Sequence, residues 1–308
     1  MSATSATTVA TPRRRRQGRG KERLLFWAFV LPNLSVILIF SYYPTLYNFL
    51  LSFTEWDFVS PAPVMVGLEN YRELLQPESS LAVALKNTGL FVTVVVLGTL
   101  IGGLAIGWLL SQRLRFTGLV RTIAFAPHML PGAAIGMLWL FMFDPNYGLS
   151  RFLFELVGMD SPRWTTTSEF SLWSIIIAYS WQRLGFVAII YYTAIVDLPS
   201  EIYEAAALDG ARGWRLFTNI TLPLLSPVTF FLSVTGIIAA AQTFDIIAVL
   251  TSGGPGESST TLPWMIYSQA FHEFDIGTSA TTATVMFVLL VIVTLIQAKH
   301  ANRTVHYS

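Results

Sequence analysis

The chain has 308 residues, of which 53% are hydrophobic and only 12% are charged. Soluble domains carry roughly a quarter charged residues, so this composition excludes an ordinary soluble globular protein. The net charge of +1 indicates no partner class. Cysteine is absent, which excludes a disulfide framework, a thiolate nucleophile and a metal site with cysteine ligands.

Residues 1–23 form a polar tail that becomes strongly basic toward its end. Seven arginines and lysines give the tail its charge: Arg13, Arg14, Arg15, Arg16, Arg19, Lys21 and Arg23. We interpret residues 1–23 as a disordered cytoplasmic tail held near the anionic lipid of the bilayer. A nucleic-acid-binding arm is disfavoured because an apolar span follows at once. A cleavable signal peptide is disfavoured because that span is too long and lacks a cleavage site.

Residues 24–298 are predicted to form an all-α membrane domain of six transmembrane helices, since a helix needs roughly 20 apolar residues to cross a bilayer. We expect the spans at about 24–43, 87–111, 122–143, 172–196, 227–250 and 278–298. The first span is expected to end near Pro44, and Pro127 and Pro131 interrupt the third. Gly103-x-x-x-Gly107 in the second span indicates close helix packing. Residues 299–308 are expected to form a cytoplasmic tail.

The polar segment 197–223 separates the fourth and fifth predicted spans and has the pattern of two short helices. Strong helix formers occupy Glu201–Leu208, and Ser200 is expected to cap that helix. Gly210 stands where a helix ends in a left-handed residue. A second run carries apolar residues at helical spacing: Trp214, Phe217 and Ile220. Pro223 is expected to end it. Such a pair of helices suits docking into a groove on another protein.

Lysine and arginine placement predicts the orientation of the spans. One side of the membrane receives fourteen of these residues, including the basic tail, whereas the other receives four: Arg72, Lys86, Arg151 and Arg163. Both termini and the segment 197–223 are therefore predicted to be cytoplasmic.

Polar side chains at membrane depth face the bundle interior or a water-filled cavity. Five such residues lie on the fourth and fifth spans: Tyr179, Gln182, Arg183, Gln242 and Asp245. We hypothesise that they line a translocation path. Arg183 and Asp245 either contact the substrate or form a buried structural pair, and Arg183 alternatively extends to the inner membrane face. His128 is interpreted as a hydrogen-bonded packing residue rather than a proton relay.

Glu204-Ala205-Ala206, with Gly210, Leu222 and Pro223 behind it, resembles the EAA signature of ABC importer permeases. The likeness extends to the carbohydrate-uptake branch over nearly the whole chain, at Tyr43-Pro44, 66–71, 144–148 and 251–255. The resemblance implies the type I importer permease fold, with residues 197–223 as a cytoplasmic coupling loop. It implies that the loop meets an ATPase through Glu204, Ala205, Ala206, Gly210, Leu222 and Pro223. The last outer loop and 227–232 look closest to permeases for sn-glycerol 3-phosphate or glycerophosphodiesters, and sugar permeases share much of both.

The resemblance also implies a complex in the cell membrane of a prokaryote. A second homologous permease subunit would complete the pore, two ABC ATPase subunits would bind below, and an extracytoplasmic substrate-binding lipoprotein would deliver the solute. The chain has no P-loop motif, so ATP and Mg would belong to the partner ATPase. This chain would be non-catalytic, hold no cofactor or metal, and import a small polar solute by alternating access.

An ATP-independent secondary transporter of a polar solute is the alternative function. It would need coupling-ion carboxylates near the membrane midplane, for which Asp245 is the only candidate, and six spans without repeat symmetry fit poorly. An integral membrane enzyme would need paired carboxylates or a histidine-rich metal cluster near the interface, and neither pattern occurs in the sequence.

Overall fold

A computed structural model describes residues 19–112 and 117–304 of the chain. Arg13–Arg16 of the basic tail, Arg113, Arg115 and residues 305–308 lie outside the described residues. The chain divides into two units, Met1–Leu50 and Leu51–Ser308. Nearly all the regular structure within the described ranges is helical, apart from two strands of two residues each.

The described part of the first unit is a helical run interrupted by one π-helical turn: α1 (Arg19–Ile37), the turn Leu38–Tyr42, and α2 (Tyr43–Leu51), whose last residue already belongs to the second unit. The run begins within the tail predicted for residues 1–23. The prediction that it ends near Pro44 is wrong, because it continues to Leu51. The backbone N–H of Tyr43 donates to the carbonyl of Leu38, five residues earlier. This wide turn accommodates Pro44, which has no N–H to donate.

The second unit opens with a two-stranded antiparallel hairpin, in which Thr54 lies opposite Met65. Its first elements are β1 (Thr54–Glu55), β2 (Val64–Met65), α3 (Glu69–Leu74), α4 (Leu81–Ser111), α5 (Thr117–Phe125), α6 (Gly132–Met142), α7 (Leu149–Glu155) and α8 (Ser171–Val196). Its later elements are α9 (Ser200–Leu208), α10 (Trp214–Leu216), α11 (Leu222–Leu224), α12 (Ser226–Ala241), α13 (Asp245–Leu250), α14 (Leu262–Phe271) and α15 (Ile276–Thr304). A 3-10 turn, Ala126–Met129, follows α5, and a π-helical turn, Phe217–Thr221, joins α10 to α11.

Four helical runs are long and apolar enough to cross a membrane: Arg23–Leu51, Leu81–Ser111, Ser171–Val196 and Ile276–Lys299. Two further pairs satisfy the same criterion but are sharply bent. Thr117–Met129 meets Gly132–Met142 at 103°, and Trp214–Leu224 meets Ser226–Ala241 at 63°. The number of spans is six, as predicted, when each bent pair counts as one.

Three further predicted helix bounds are wrong. The second span starts at Leu81, six residues before the predicted start, and the last helix runs to Thr304, into the tail predicted for 299–308. The fifth span ends at Ala241 instead of continuing to residue 250. The break that follows lets Phe244 pack on α14, with its ring centroid 4.8 Å from that of Tyr267. The apolar composition of a segment indicates that it can form a membrane helix, whereas tertiary packing such as this determines the residue at which the helix ends.

The centre of the second unit is the contact between α4 and α8. Glycines on α4 make it close: a Cβ at Gly103 would lie 2.5 Å from Cγ1 of Val187, and one at Gly107 would lie 2.7 Å from the carbonyl oxygen of Ala188. The predicted packing role of these two glycines is confirmed. The surrounding core includes Phe91, Val95, Ile135, Ile175, Ile176, Ile246 and Ile247.

The loop between α13 and α14 is fastened to the two central helices. Asn87 on α4 donates from Nδ2 to the carbonyls of Glu257 (3.0 Å) and Thr260 (2.9 Å). The hydroxyls of Ser171 and Ser258 lie 2.8 Å apart and join the same loop to α8. These contacts anchor residues 257–260, which directly follow the turn cluster predicted at 251–256.

Candidate functional site

The first arm of the predicted coupling loop, residues 197–223, is α9, and its end is built as predicted around Gly210. The N–H of Ala211 donates to the carbonyl of Ala206 (2.9 Å), and the N–H of Gly210 donates to that of Ala207 (3.1 Å). This pair of bonds is a Schellman motif, which needs a left-handed residue after the helix. Gly210 supplies it with φ +78°. The helix therefore stops at a defined residue and reverses the chain.

The helix start differs from the prediction. Pro199 occupies the N-cap position, and no side-chain hydrogen bond caps the helix. Ser200 is instead the first helical residue, so its predicted capping role is wrong. Proline at the cap fixes an extended backbone, with φ −57° and ψ 131°, and so starts the helix without a side-chain acceptor.

The second arm of the coupling loop is the helical run Trp214–Leu224. It ends at Leu224, one residue after Pro223, and meets Ser226–Ala241 at 63°, so the predicted end is confirmed to within one residue. Leu222 donates to the carbonyl of Phe217, five residues earlier, so a π turn again precedes a proline that stays inside the run. The arm starts after Gly213, whose φ of 56° and ψ of −125° suit glycine alone. Sequence reasoning missed Gly213, although its place in Gly-Ala-Arg-Gly was a turn signal.

The residues assigned to coupling are not equally available to a partner. Glu204, Ala205 and Gly210 are exposed, whereas Ala206 is only 5% exposed and lies within the subunit. Leu222 and Pro223 are exposed on the second arm. Two large apolar side chains that the sequence analysis did not assign are much more prominent. Leu208 is 90% exposed at the end of α9, and Trp214 is 72% exposed at the start of the second arm.

A cavity of about 370 Å³ lies between the two arms and the ends of α4 and α8. Trp108 on α4 and Ile195 on α8 line one side, and Tyr203 on the first arm and Thr221 on the second line the other. The hydroxyls of Tyr203 and Thr221 lie 3.3 Å apart in its wall. The rings of Trp108 and Phe217 lie 5.5 Å apart and join the second arm to α4.

The polar residues of the fourth span lie on one stretch of α8. Arg183 is half-buried, and its guanidinium lies over the ring of Phe186, 5.1 Å from the ring centre. The buried Tyr179 interacts through its hydroxyl with Thr243, at the break after α12. Gln182 donates from Nε2 to the carbonyl of Leu130 (2.9 Å), which precedes Pro131 at the bend between α5 and α6.

The polar residues of the fifth span lie at its break. Gln242 follows α12, Asp245 begins α13, and both side chains are exposed. Asp245 rests against α6, since a Cβ at Gly132 would lie 2.9 Å from its Oδ2. Within the described residues Arg183 and Asp245 form no ion pair. The alternative that they are a buried structural pair is therefore contradicted.

His128 packs as predicted but lacks the predicted hydrogen bond. Its ring stacks on Phe186 at 4.6 Å between centroids, on the same aromatic side chain that Arg183 contacts. Its Nδ1 is buried and has no partner among the described residues.

A second cavity, of about 580 Å³, lies between α3, α14 and the loop before α14. Among the described residues, no lysine or arginine lines this cavity. Five carboxylates do: Glu73, Glu78, Glu257, Glu273 and Asp275. Trp264 and His272 form part of the wall. Tyr267 continues this aromatic surface from Trp264 (5.6 Å between centroids) to Phe244 (4.8 Å), directly before Asp245.

Comparison with known proteins gives consistent matches over most of the chain. The profile of the family described as the binding-protein-dependent transport system inner membrane component matches residues 95–307. A probable ABC transporter permease protein of Pyrococcus horikoshii is 34% identical over 87% of this chain and 92% of its own length. The sn-glycerol-3-phosphate transport system permease protein UgpA of Yersinia pestis is 32% identical, over 91% of this chain and 95% of its own length.

Two further comparisons widen the range of relatives. A probable starch degradation products transport system permease protein of Thermoanaerobacterium thermosulfurigenes is 26% identical over 90% of this chain and 94% of its own length. A chain in the crystal structure of a bacterial alginate ABC transporter, in complex with a pentasaccharide-bound periplasmic protein, superposes with a TM-score of 0.80. That match covers 94% of this chain and 98% of the other at 22% identity, so it concerns the fold.

Proposed function

Because the chain belongs to the family of inner membrane components of binding-protein-dependent transport systems, we propose that it forms half of the pore of an ATP-driven importer. It is a multi-pass membrane permease with the type I importer fold. The proposal adds the partners. A second homologous permease subunit completes the pore, two ATPase subunits bind ATP and Mg, and an extracytoplasmic binding protein delivers the solute.

The observation that carries the proposal is the form of the coupling loop. Its two arms are joined by a turn with glycines at positive φ, and large apolar side chains protrude at the junction. Exposed residues such as Leu208 and Trp214 are the kind of anchors that fill pockets in a partner protein. Charged residues surround them, including Glu204, Asp209 and Arg212, as is usual for an interface rim. The arrangement favours docking and offers no catalytic constellation.

The orientation that we propose places both termini and the coupling loop in the cytoplasm. Fourteen lysines and arginines are assigned to that side and four to the other, which follows the positive-inside rule. Arg212 and Arg215 in the loop contribute to the count and are exposed. The cytoplasmic side is also where an ATPase partner finds its nucleotide.

The mechanism that we propose is alternating access. Closure of the ATPase pair moves the coupling loop, and the loop moves the helices that the second arm contacts. The central contact of α4 with α8 is too closely packed to flex, so these helices move together. Gln242 and Asp245 are exposed at the break of the fifth span and are proposed to line the path. They would hold the solute weakly, since the pore must release what the binding protein delivers.

We propose a sugar as the solute in preference to a phosphate ester. The similarity to UgpA favours sn-glycerol 3-phosphate or a glycerophosphodiester, and the starch-product relative favours a sugar. The cavity beside α14 is the observation that supports a sugar. Its five carboxylates repel a phosphate dianion, whereas the aromatic surface of Trp264, Tyr267 and Phe244 suits the apolar faces of a sugar ring.

The test is uptake into liposomes that contain the complete complex. We expect uptake that requires both ATP inside the liposomes and the binding protein outside. Uptake by the isolated chain without nucleotide would refute the proposal and favour the secondary transporter. In the same liposomes, saturable uptake of sn-glycerol 3-phosphate, with none of a neutral mono- or disaccharide, would refute the choice of a sugar while leaving the importer assignment intact.

A further inference from the structure

We propose that Tyr203 and Thr221 form a brace that makes the two arms of the coupling loop move as one body. This inference rests on the proposed coupling to an ATPase and goes beyond it by assigning a positioning role to two residues. The brace is the contact between the Tyr203 hydroxyl on the first arm and the Thr221 hydroxyl on the second, which lie 3.3 Å apart.

The loop needs such a brace because the backbone of the turn between its arms is flexible. The turn contains two glycines at positive φ, Gly210 at +78° and Gly213 at +56°. Glycine has more accessible backbone conformations than any other residue, so rotation at these positions costs little. The Schellman bonds of Ala211 and Gly210 fasten only the end of the first arm. The Tyr203–Thr221 contact is the one side-chain hydrogen bond between the arms in the part of the chain that the structure describes.

The second arm packs side chains directly against a membrane helix. Phe217 contacts Trp108 near the end of α4, at 5.5 Å between ring centroids. Thr221 is only 3% exposed, so it is held firmly within the subunit. A push on α9 therefore reaches α4 by way of Tyr203, Thr221 and then Phe217. Without the brace, the first arm would rotate about the glycine turn, and part of the movement would be lost.

The test removes each hydroxyl without changing the shape around it. Tyr203→Phe and Thr221→Val are compared with wild type in liposomes containing the complete complex, and the measured quantity is solute imported per ATP hydrolysed. We expect this ratio to fall by about two- to tenfold in each variant, the range for loss of one neutral hydrogen bond. ATP hydrolysis and subunit stoichiometry should stay near wild type, which a general folding defect would not allow.

Three further variants separate the brace from a general disturbance of the loop. The double variant should be no worse than either single one, because both changes remove the same contact. Thr221→Ser keeps the hydroxyl and should restore the ratio. Thr218→Val is the matched control: its hydroxyl lies on the same arm but donates to the carbonyl of Trp214 within that arm (3.0 Å), so the ratio should not change.

The outcomes distinguish failure of the brace from failure of the proposed function. Wild-type ratios in both single variants, or a double variant whose loss is the product of the single losses, would overturn the brace while leaving ATP-driven import in place. Absence of any ATP requirement in the wild-type complex would overturn the proposed function, and the brace with it.

Discussion

Gly210 is the position where a minimal change should separate transport from ATP hydrolysis. Its φ is +78°, and a Cβ added there would meet no atom within 4 Å. Gly210→Ala therefore introduces no clash, and its whole effect is the cost of a left-handed backbone. That cost is about 1–2 kcal/mol, which corresponds to roughly a 5- to 30-fold shift in the equilibrium between the native turn and an alternative one.

The chain contains a matched control for this substitution. Gly158 follows α7 with φ +72°, and a Cβ added there would likewise meet open space. Like Gly210, it belongs to a Schellman motif. The N–H of Met159 donates to the carbonyl of Phe154 (3.0 Å), and the N–H of Gly158 donates to that of Glu155 (3.0 Å). Gly158→Ala therefore carries the same backbone cost at a place with no proposed role in coupling.

The assay is solute imported per ATP hydrolysed by the complete complex in liposomes. We expect Gly210→Ala to lower the ratio at least fivefold, Gly210→Val to lower it further, and Gly158→Ala to leave it unchanged. All three proteins should remain in the membrane, because the strain is confined to an exposed turn. Equal ratios for Gly210→Ala and wild type, or an equal loss in Gly158→Ala, would refute the assignment of this turn to coupling.

Three other substitutions test the site. Glu204→Lys reverses an exposed charge on α9 and should abolish uptake while the subunit stays in the membrane; wild-type uptake would contradict its role. Trp214→Ala removes a 72% exposed anchor and should weaken retention of the ATPase on purification by tenfold or more, a loss typical of an interface hot spot, whereas unchanged retention would count against the docking surface. Arg183→Ala should abolish uptake with assembly intact, and loss of assembly would instead indicate a structural role. Arg151→Ala is its control, since an exposed pair with Glu155 (2.6 Å) contributes about 1 kcal/mol or less.

The sequence predicts the membrane helices well because bilayer thickness sets their length. The fourth span is predicted at 172–196 and is found at Ser171–Val196. The first arm of the loop is predicted at Glu201–Leu208 and is found at Ser200–Leu208, since strong helix formers precede a glycine that stops them. In both cases local composition and the required geometry agree.

The prolines show where this reasoning fails. Pro44 is predicted to end a helix and does not, whereas the run that contains Pro223 ends one residue after it. In each case the preceding residue donates to a carbonyl five residues back: Tyr43 to Leu38, and Leu222 to Phe217. The extra residue in the turn accommodates the proline ring. No residue type predicts a π turn from the sequence. A proline in an apolar run is therefore a better predictor of a local distortion of the helix than of the end of the helix.

The residues proposed to line the translocation path gather where two interruptions of membrane helices meet. Gln182 donates to the carbonyl of Leu130 at the bend between α5 and α6, and Asp245 rests against Gly132 on the far side of that bend. Interrupted backbone at membrane depth persists only where protein or a water-filled cavity satisfies its polar groups. In the sequence, prolines indicate the bend between α5 and α6. The break between α12 and α13 has no such signal, because Gln242-Thr-Phe-Asp245 contains neither proline nor glycine.

The break at 242–245 also explains why the alternative of a buried pair between Arg183 and Asp245 fails. That alternative assumes one continuous fifth helix over 227–250, which would carry both Gln242 and Asp245. Because α12 stops at Ala241 and α13 starts afresh at Asp245, the direction of the later side chains is independent of the earlier ones. The apolar sequence on either side thus shows how deep in the membrane a polar residue lies. The direction in which its side chain points can be inferred only when the ends of its helix are known.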